Sequence, residues 1–376
     1  MYQIDFQSPV HIYFIGIGGI SMSGIAQILQ NRGFQISGSD SKHSAMTDAL
    51  EALGIHIFYG QKTENITMAS HIDAVVYTSA IHPDNPEYAA ALAAGIPMLT
   101  RAQLLGQIMR YFKMPIAVSG THGKTTTTSM ISKILLEADT DPTLSIGGVF
   151  KDINGNTRIG HSDFFVAEAC EYTNSFLSLF PKIGVVLDID ADHLDFFKDL
   201  ADIRHSFHTF CKLVPEDGAL VINGEIDNLE EITESVKGRI ITYGMDSSND
   251  YYATDITYDS LANASFLLHR RSGEDCHITL HVPGEHNIYN AMASVAVADL
   301  LHIEEKYIIA ALLHFTGTNR RFEYKGEVDG VTIVDDYAHH PTEITATLKA
   351  ASNYPHQSLW CVFQPHTYTR TKALLP

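Results

Sequence analysis

The residues of this chain with the clearest chemical signature run from Ser119 to Thr126 and read Ser-Gly-Thr-His-Gly-Lys-Thr-Thr. They follow a short apolar run, Pro115 to Val118, and precede a helical pattern from Thr127 to Glu137. In a strand–turn–helix of this kind, the backbone N–H groups of the turn bind phosphate oxygens and the helix N-terminus adds its positive dipole end. Lys124 can reach the outer phosphates of a nucleotide, and Thr125 can offer its hydroxyl to Mg²⁺. The usual loop has a further glycine at the last position of the apolar run, so we predict a shorter phosphate loop.

A second glycine turn lies about a hundred residues earlier in the chain. His11 to Ile15 reads as a buried strand, and the stretch Gly16 to Gly24 follows it as Gly-Ile-Gly-Gly-Ile-Ser-Met-Ser-Gly. The stretch departs from the dinucleotide-binding fingerprint, because Ser21 stands at the third glycine position and Gly24 comes three residues late. Asp40 ends the next strand-like run, at about the spacing where a carboxylate meets a ribose hydroxyl. An unliganded close turn is the alternative, but two such turns together indicate two nucleotide sites.

Composition excludes several classes of protein. The chain has 376 residues, enough for two or three domains, and 45% hydrophobic with 18% charged residues is typical of a globular protein. A net charge of −19 argues against a broad electrostatic grip on nucleic acid or on an anionic membrane. The four cysteines lie far apart with no C-x-x-C pair, which signals neither zinc nor disulfides and suits a reducing cytosol. No apolar run approaches the length of a membrane span. We therefore expect a cytoplasmic protein.

Apolar strand-like runs alternate with helical patterns almost throughout, which predicts an α/β fold with mostly parallel sheets. We expect domains at residues 1–113, 114–317 and 318–376, with a strand-rich insertion from Asp246 to Val282. The third segment is short for a doubly wound domain, and its end reads as a truncation. The remaining strand candidates are Ala74 to Ser79, Phe164 to Glu168, Gly184 to Ile189, Ala219 to Ile222, Arg239 to Tyr243, Val331 to Asp335 and Leu359 to Phe363.

Carboxylates follow two of these strands, at the ends where open α/β sheets bind ligands. Glu168 ends its strand and Glu171 comes soon after; a carboxylate there can hold Mg²⁺ on ATP phosphates. We place Glu168 first and Glu171 second, with a solvated strand-end carboxylate as the alternative. The stretch Asp188 to Asp195 ends another strand with four acids and His193. His193 could ligate a second metal or hold its water, and an acidic N-cap cluster is the alternative.

Four further polar segments have side chains suited to a nucleotide or to a transferred group. Asn287 and Asn290 open a small-residue helix and combine donors with acceptors, which suits an adenine edge, although Asn287 serves equally well as a helix cap. The arginine pair ending at Arg321 suits a phosphate or a carboxylate. Asp335 to Glu343 and Gln364 to Thr371 are polar loops at strand ends, the usual place for function in this architecture.

Together these segments resemble the Mur ligases, and the resemblance extends over the whole chain. The full set is specific, although a single short motif is not. The motifs are Gly-Ile-Gly-Gly-Ile-x-Met-Ser-Gly from Gly16, Gly-Thr-His-Gly-Lys-Thr from Gly120, Glu-Ala-x-Glu from Glu168, Asp-His from Asp192, His-Asn-x-x-Asn from His286, Arg-Arg-Phe-Glu from Arg320, Asp-Asp-Tyr-Ala-His-His-Pro from Asp335 and Phe-Gln-Pro-His-Thr-Tyr-Thr-Arg-Thr from Phe363. The resemblance implies a Rossmann-like N-terminal domain, a P-loop ATPase central domain and a Rossmann-like C-terminal domain, incomplete here.

The resemblance also implies a role for each matching residue. The UDP-sugar site would contain Gly16, Gly18, Gly19, Asp40 and Ser79. The ATP site would contain Gly120, Thr121, His122, Gly123, Lys124, Thr125, Thr126, Asn287, Asn290, Arg321 and Asp336, with the asparagines near adenine, Arg321 on the γ-phosphate and Asp336 on the ribose. The Mg²⁺ site would contain Thr125, Glu168 and His193. The amino acid or acyl phosphate would be held by His339, His366 and Arg370. The catalytic group would be Lys124, Glu168, His193 and Arg321.

Within the family, the set most resembles the members that add L-alanine to UDP-N-acetylmuramate, with ATP and Mg²⁺, for peptidoglycan precursors. A recycling ligase that adds a whole peptide to the same sugar remains an alternative. An NAD-dependent oxidoreductase would explain the first glycine turn but leave the phosphate loop without a purpose. A kinase or nucleotide switch would explain only the phosphate loop, and a non-catalytic UDP-sugar-binding chain is a further alternative.

Overall fold

The first structural unit is a five-stranded parallel sheet flanked by helices. A computed structural model describes residues 2–68, 71–271, 273–365 and 372. The strand order is β3-β2-β1-β4-β5, so the connection reverses direction beside β1, where α/β sheets bind ligands. Its strands are β1 (His11–Ile15), β2 (Gln35–Asp40), β3 (His56–Tyr59), β4 (Ala74–Tyr77) and β5 (Met98–Thr100). Its helices are α1 (Ile20–Asn31), α2 (Ala45–Ala52), α3 (Thr63–Thr67), α4 (Pro86–Ala93) and α5 (Arg101–Met109).

The second unit is a ten-stranded sheet in the order β15-β14-β13-β12-β11-β10-β6-β9-β7-β8. Its strands are β6 (Met114–Ser119), β7 (Thr143–Phe150), β8 (Gly155–Arg158), β9 (Phe164–Glu168), β10 (Ile183–Val186), β11 (Ala219–Asn223), β12 (Arg239–Gly244), β13 (Tyr251–Tyr258), β14 (Asn263–Arg270) and β15 (Cys276–Pro283). Its helices are α6 (Lys124–Glu137), α7 (Leu200–Cys211), α8 (Leu229–Thr233), α9 (His286–Leu300) and α10 (Glu305–Leu313), with 3₁₀ turns at Lys151–Ile153 and Tyr172–Ser178.

The central strands of this sheet are parallel and buried on both faces. Strands β9 and β10 both pair in parallel with β6, which places the strand ends that carry polar residues at one edge. The strand-rich segment expected from Asp246 to Val282 forms β13 to β15, where β14 and β15 are antiparallel to their neighbours. Antiparallel strands need only short connections, which explains why this part of the sequence lacks the helices found elsewhere.

The third unit consists, in the described residues, of a hairpin and one helix. Strands β16 (Glu323–Val328) and β17 (Val331–Asp335) pair antiparallel, and helix α11 (Pro341–Ala351) follows them. The strand predicted from Leu359 to Phe363 is wrong, because residues 359–363 form no strand. Trp360 is 88% exposed and Val362 is 98% exposed. A strand is held by hydrogen bonds to a neighbour, and no described strand pairs with this segment, so its apolar composition alone does not make it one.

No helix in the described ranges combines the length and the apolar character that crossing a membrane requires.

Gly24, which fits no dinucleotide fingerprint, lies where helix α1 packs against strand β8 of the second unit. A Cβ atom at Gly24 would lie 1.9 Å from Oγ1 of Thr157. At the start of the same helix, Asn156 Nδ2 donates a hydrogen bond of 3.0 Å to the carbonyl oxygen of Ile20. The absence of a side chain at Gly24 therefore permits the first unit to pack closely on the second, next to the glycine turn.

Replacing Gly24 by alanine is expected to lower the free energy of unfolding by about 1–3 kcal/mol, because the new methyl group overlaps Thr157. A loss of stability would indicate the steric overlap, since alanine in place of glycine normally stabilises a helix by roughly 0.5–1 kcal/mol. Denaturant unfolding of Gly24→Ala in the parent and in a Thr157→Ala background measures the effect. The loss should shrink when Thr157 is shortened; an equal loss in both backgrounds would contradict the steric explanation.

Candidate active site

The phosphate loop joins the end of β6 to the start of α6. Gly120 and Gly123 have φ values of +148° and +78°, which favour glycine. A Cβ atom at Gly120 would also lie 2.8 Å from the Cβ of Leu187, so the turn has no room for a side chain. The N–H of His122 donates 2.8 Å to Oδ1 of Asp188, at the end of the neighbouring strand. Sheet and loop together therefore fix the direction of the turn's backbone.

Lys124 lies inside this loop and forms a buried ion pair. Its Nζ donates to the carbonyl oxygens of Gly120 and of Thr121, the latter at 3.0 Å, and lies 2.9 Å from Oε2 of Glu171. Burial lowers the pKa of Lys124, but attraction to Glu171 and neighbouring acids outweighs it, and the pKa is raised overall. Lys124 is therefore positively charged inside the predicted phosphate loop.

Thr125 and Glu168, two of the predicted metal ligands, are brought together from different elements. The Thr125 hydroxyl, at the start of α6, donates 2.9 Å to Oε2 of Glu168, at the end of β9. The N–H of Gly147 donates 3.0 Å to the same carboxylate oxygen. A hydroxyl and a carboxylate are hard oxygen ligands of the kind that Mg²⁺ prefers, so this donor set fits that ion.

His193, the third predicted metal ligand, lies beside Glu171. Its Nε2 is 3.7 Å from Oε1 of Glu171, and its ring stacks on Tyr172 with centroids 4.5 Å apart. Its φ of +52° is uncommon for a residue other than glycine and turns the chain sharply after the acidic strand end. Glu171, the second choice from the sequence, therefore links Lys124 of the phosphate loop to His193.

A cavity of about 430 Å³ opens next to the phosphate loop, between the central unit and the third unit. Among the residues predicted for ATP, seven line it: His122, Gly123, Thr126, Asn287, Asn290, Arg321 and Asp336. No role was predicted from the sequence for other lining residues, among them Asn223, Glu225, Tyr243, His286, Tyr289 and Glu343, although His286 and Glu343 lie within segments named there. The rule that ligands bind at the carboxyl ends of parallel strands would have found Asn223, which ends β11. The tyrosines carried no such signal.

Asn287 and Asn290 also hold helix α9 against the start of α6. Asn287 Nδ2 donates 2.8 Å to the carbonyl of Pro283, and Asn290 Nδ2 donates 3.0 Å to Oδ1 of Asn287. Thr127 Oγ1 donates 3.1 Å to Oδ1 of Asn290. The side-chain amides of Asn287 and Asn290 therefore take part in hydrogen bonds within the protein. The adenine contact inferred from the sequence remains a prediction, supported by their place in the cavity wall.

The third unit reaches the phosphate loop through His122. Its Nδ1 lies 3.3 Å from Oε1 of Glu343, and its Nε2 lies 3.4 Å from Oδ2 of Asp190. Thr342 Oγ1, on helix α11, also donates 2.9 Å to Asp190 Oδ2. Burial lowers the pKa of His122, but its bonds to Asp190 and Glu343 outweigh burial and raise it to about 10. The imidazolium thus connects an acid of the central unit to one of the third unit.

Two further predicted residues lie on the loop between β17 and α11. Asp336 accepts hydrogen bonds of 2.7 Å from the N–H groups of Phe322 and Ala338, which fixes its carboxylate at the cavity wall. The ring of His339 bonds the carbonyl oxygen of Tyr337 through Nδ1 at 2.8 Å. His366 and Arg370, predicted for the amino acid or acyl phosphate, lie outside the described residues.

The residues predicted for the UDP-sugar lie together at the carboxyl edge of the first sheet. The N–H of Gly18 donates 2.9 Å to Oδ2 of Asp40, and a Cβ atom at Gly18 would lie 2.8 Å from that oxygen. Gly16 turns the chain with a φ of +81°, and Gly19 immediately precedes helix α1. Ser79 is exposed just beyond the end of β4. Asp40 therefore shapes the glycine turn as well as facing the predicted site.

Comparison with known proteins covers all three units. The family model described as "Mur ligase family, catalytic domain" matches residues 11–113, "Mur ligase middle domain" matches 118–298, and "Mur ligase, glutamate ligase domain" matches 320–375. The UDP-N-acetylmuramate–L-alanine ligase of Agathobacter rectalis is 59% identical over 375 residues, covering 100% of this chain and 81% of that protein. The enzyme of the same name from Clostridium botulinum is 51% identical, covering 97% of this chain and 79% of its own length.

Solved structures show the same architecture. The UDP-N-acetylmuramate-alanine ligase of Thermotoga maritima has a TM-score of 0.78 and 28% identity, covering 91% of this chain and 77% of that one. A murein peptide ligase from Psychrobacter arcticus also has a TM-score of 0.78, with 29% identity, covering 91% of this chain and 76% of that one. Backbone similarity alone therefore does not separate these two activities.

The stability contributed by His122 is expected to depend on pH. Its pKa rises from an ordinary 6.5 to about 10 on folding, so its contribution is full below pH 6.5 and is lost as the pH rises towards 10. The pKa values of Asp190 and Glu343 are lowered, so the stability that these two carboxylates contribute is lost in acid. His122→Gln should cost on the order of 2 kcal/mol near pH 6 and progressively less towards pH 9.

Denaturant unfolding of the parent and of His122→Gln between pH 6 and pH 9 measures this dependence. His205→Gln is the matched control, because His205 is exposed on helix α7, and its difference from the parent should stay flat. A His122→Gln penalty that is constant with pH, or that grows towards pH 9, would contradict a charged His122.

Proposed function

The chain belongs to the Mur ligase family, and we propose that it joins L-alanine to the lactyl carboxylate of UDP-N-acetylmuramate, converting ATP to ADP and phosphate, in peptidoglycan precursor synthesis. The observation that carries the proposal is the phosphate loop with Lys124, beside a cavity that is also lined by Arg321 and Asp336. The identity of 51–59% to L-alanine ligases over nearly the whole chain supports the choice of substrates.

The chemistry follows from the low reactivity of a carboxylate. An amine does not displace an oxide from a carboxylate at a useful rate, so the lactyl carboxylate first takes the γ-phosphoryl group of ATP. The alanine amine then attacks the acyl phosphate, and phosphate leaves. Charge spreads over the transferring phosphoryl group, and the cationic groups of Lys124 and Arg321 would stabilise it together with the N–H groups of the loop.

We propose that Mg²⁺ is held by Thr125 and Glu168, whose oxygens lie 2.9 Å apart, with His193 contributing from beside Glu171. When bound, the ion would neutralise charge on the ATP phosphates. The backbone of the loop and Lys124 would orient the phosphates. The family resemblance and the nucleotide substrates also support a cytoplasmic place for the reaction.

Two alternatives are weaker. A murein peptide ligase shares the backbone equally well, and at 29% identity it is as similar as the solved L-alanine ligase at 28%. The preference for L-alanine therefore rests on the relatives at 51–59% identity, which are named L-alanine ligases. An NAD-dependent oxidoreductase would use the first glycine turn and Asp40. It would give no role to the buried Lys124 or to the pair of Thr125 and Glu168.

A phosphate-release assay with this chain, Mg²⁺-ATP and UDP-N-acetylmuramate tests the proposal. Release is expected only when an amino acid is added, with L-alanine preferred to the tripeptide L-alanyl-γ-D-glutamyl-meso-diaminopimelate. Separate titrations with UDP and NADH should give a calorimetric signal for UDP alone. Preference for the tripeptide would favour the recycling activity, and binding of NADH without UDP would favour an oxidoreductase.

Lys124→Ala is expected to lower phosphate release by at least about a hundredfold, because losing one transition-state charge contact costs roughly 3 kcal/mol. Lys133→Ala is the matched control on the same helix, since Lys133 pairs with Asp152 at 2.7 Å away from the loop. The control should retain parental activity, and circular dichroism should show both variants folded. A folded Lys124→Ala within a few-fold of the parent would rule out the role given to this loop.

A further inference from the structure

Glu343 lines the cavity at the point where helix α11 meets the phosphate loop. It is the third residue of the helix, behind a His340 cap and Pro341 at the first position. Its Oε2 accepts hydrogen bonds from the N–H groups of His339, at 3.1 Å, and His340, at 3.4 Å. The bond from His340 belongs to a capping box, and both bonds together hold the side chain in one orientation.

The second carboxylate oxygen of Glu343 faces two cations. Oε1 lies 3.3 Å from Nδ1 of His122, in the phosphate loop, and 3.8 Å from Nη1 of Arg321, in the third unit. The carboxylate is largely buried, with 15% of the side chain exposed. A helix cap needs only the first oxygen. The other oxygen, Oε1, therefore remains available to hold the guanidinium of Arg321 close to the imidazole of His122.

We propose that Glu343 is a positioning residue, which holds the guanidinium of Arg321 at the phosphate loop so that it meets the γ-phosphate of ATP. The inference rests on the proposed function, because Arg321 has a phosphate to meet only if ATP binds in this cavity. A flexible arginine loses much of its effect if it is not held, since misplacement of a charged group by about 1 Å can cost a hundredfold in rate.

The geometry explains why the acid belongs on helix α11. Arg321 precedes the hairpin of the third unit, and His122 belongs to the central unit, so no local sequence contact joins them. Tyr337 packs near the guanidinium, with its ring centroid 5.7 Å from the Cζ of Arg321. Glu343, on helix α11, is the carboxylate that lies near both Arg321 and Nδ1 of His122. Asp190 is the carboxylate near the other ring nitrogen of His122, Nε2. Thus the contact that joins the two units also sets the direction of the arginine.

Glu343→Gln separates this role from that of a helix cap, because glutamine also serves in a capping box but carries no charge. Calorimetry on the full chain compares Mg²⁺-ADP with the Mg²⁺ complex of the non-hydrolysable β,γ-imido analogue of ATP. The readout is the ratio of the two dissociation constants, to which only contacts with the γ-phosphate contribute. The variant is expected to lose about tenfold of the parental preference for the analogue, while its affinity for ADP stays within about twofold.

Arg321→Gln should lose the same preference, and the double variant should lose no more than either single change, because both remove one contact. Glu343→Asp, which keeps the charge on a shorter side chain, should give an intermediate ratio. Glu327→Gln is the matched control, since Glu327 is exposed on β16. Its ratio should equal that of the parent.

An unchanged ratio in Glu343→Gln, equal weakening of both nucleotides, or tighter binding of the analogue would overturn the inference. Additive losses in the double variant would overturn it too, because the two residues would then act separately. If the parent chain binds neither nucleotide, the proposed function fails and the inference fails with it. If the parent prefers the analogue and the Glu343 variants keep that preference, only the inference fails.

Discussion

Parallel pairing of β6 with β9 and β10 is the constraint on which the rest of the site depends. Because all three strands run in the same direction, their carboxyl ends meet at one edge. Glu168 is the last residue of β9, while Lys124 and Asp188 come soon after the ends of β6 and β10. Residues about 40 to 70 positions apart in the chain thereby come within hydrogen-bond distance of the phosphate loop. The parallel direction of the strands thus decides which side chains can meet in the site.

Charge at this edge is balanced locally, although the chain as a whole carries a net charge of −19. Lys124 is surrounded by acids, and His122 lies between Asp190 and Glu343. Both of these cations lie against at least one carboxylate, which offsets the cost of burying their charge. Nucleotide phosphates would therefore enter a site where protein acids already neutralise the cations. Backbone N–H groups of the turn are then important, because they attract an anion without needing a counter-charge.

Glycine serves two different purposes in the first unit. Gly16 and Gly18 allow the turn that faces the predicted UDP-sugar, and Gly18 leaves room for the carboxylate of Asp40. Gly24 instead leaves room for Thr157 of the second unit. The glycines of the turn and the glycine of the packing contact lie within nine residues. The stretch therefore resembles a dinucleotide fingerprint without matching it. A sequence pattern reports that a side chain is absent but not which neighbour requires the space.

The sequence by itself determined the α/β class, the two glycine turns, the phosphate loop and the family, because these depend on local spacing between glycines, strands and helix starts. It also placed Glu168, His193, Arg321 and Asp336 at strand ends or loops near function. The tertiary structure alone decided which of them meet. Thr125 pairs with Glu168, His193 lies beside Glu171, and Glu343 reaches His122, 221 positions away. The segment from Leu359 to Phe363 has the composition of a strand but forms none, because a strand also needs a neighbouring strand to pair with. Pairings across units depend on packing between elements distant in sequence, and residue order does not encode that packing in any short pattern.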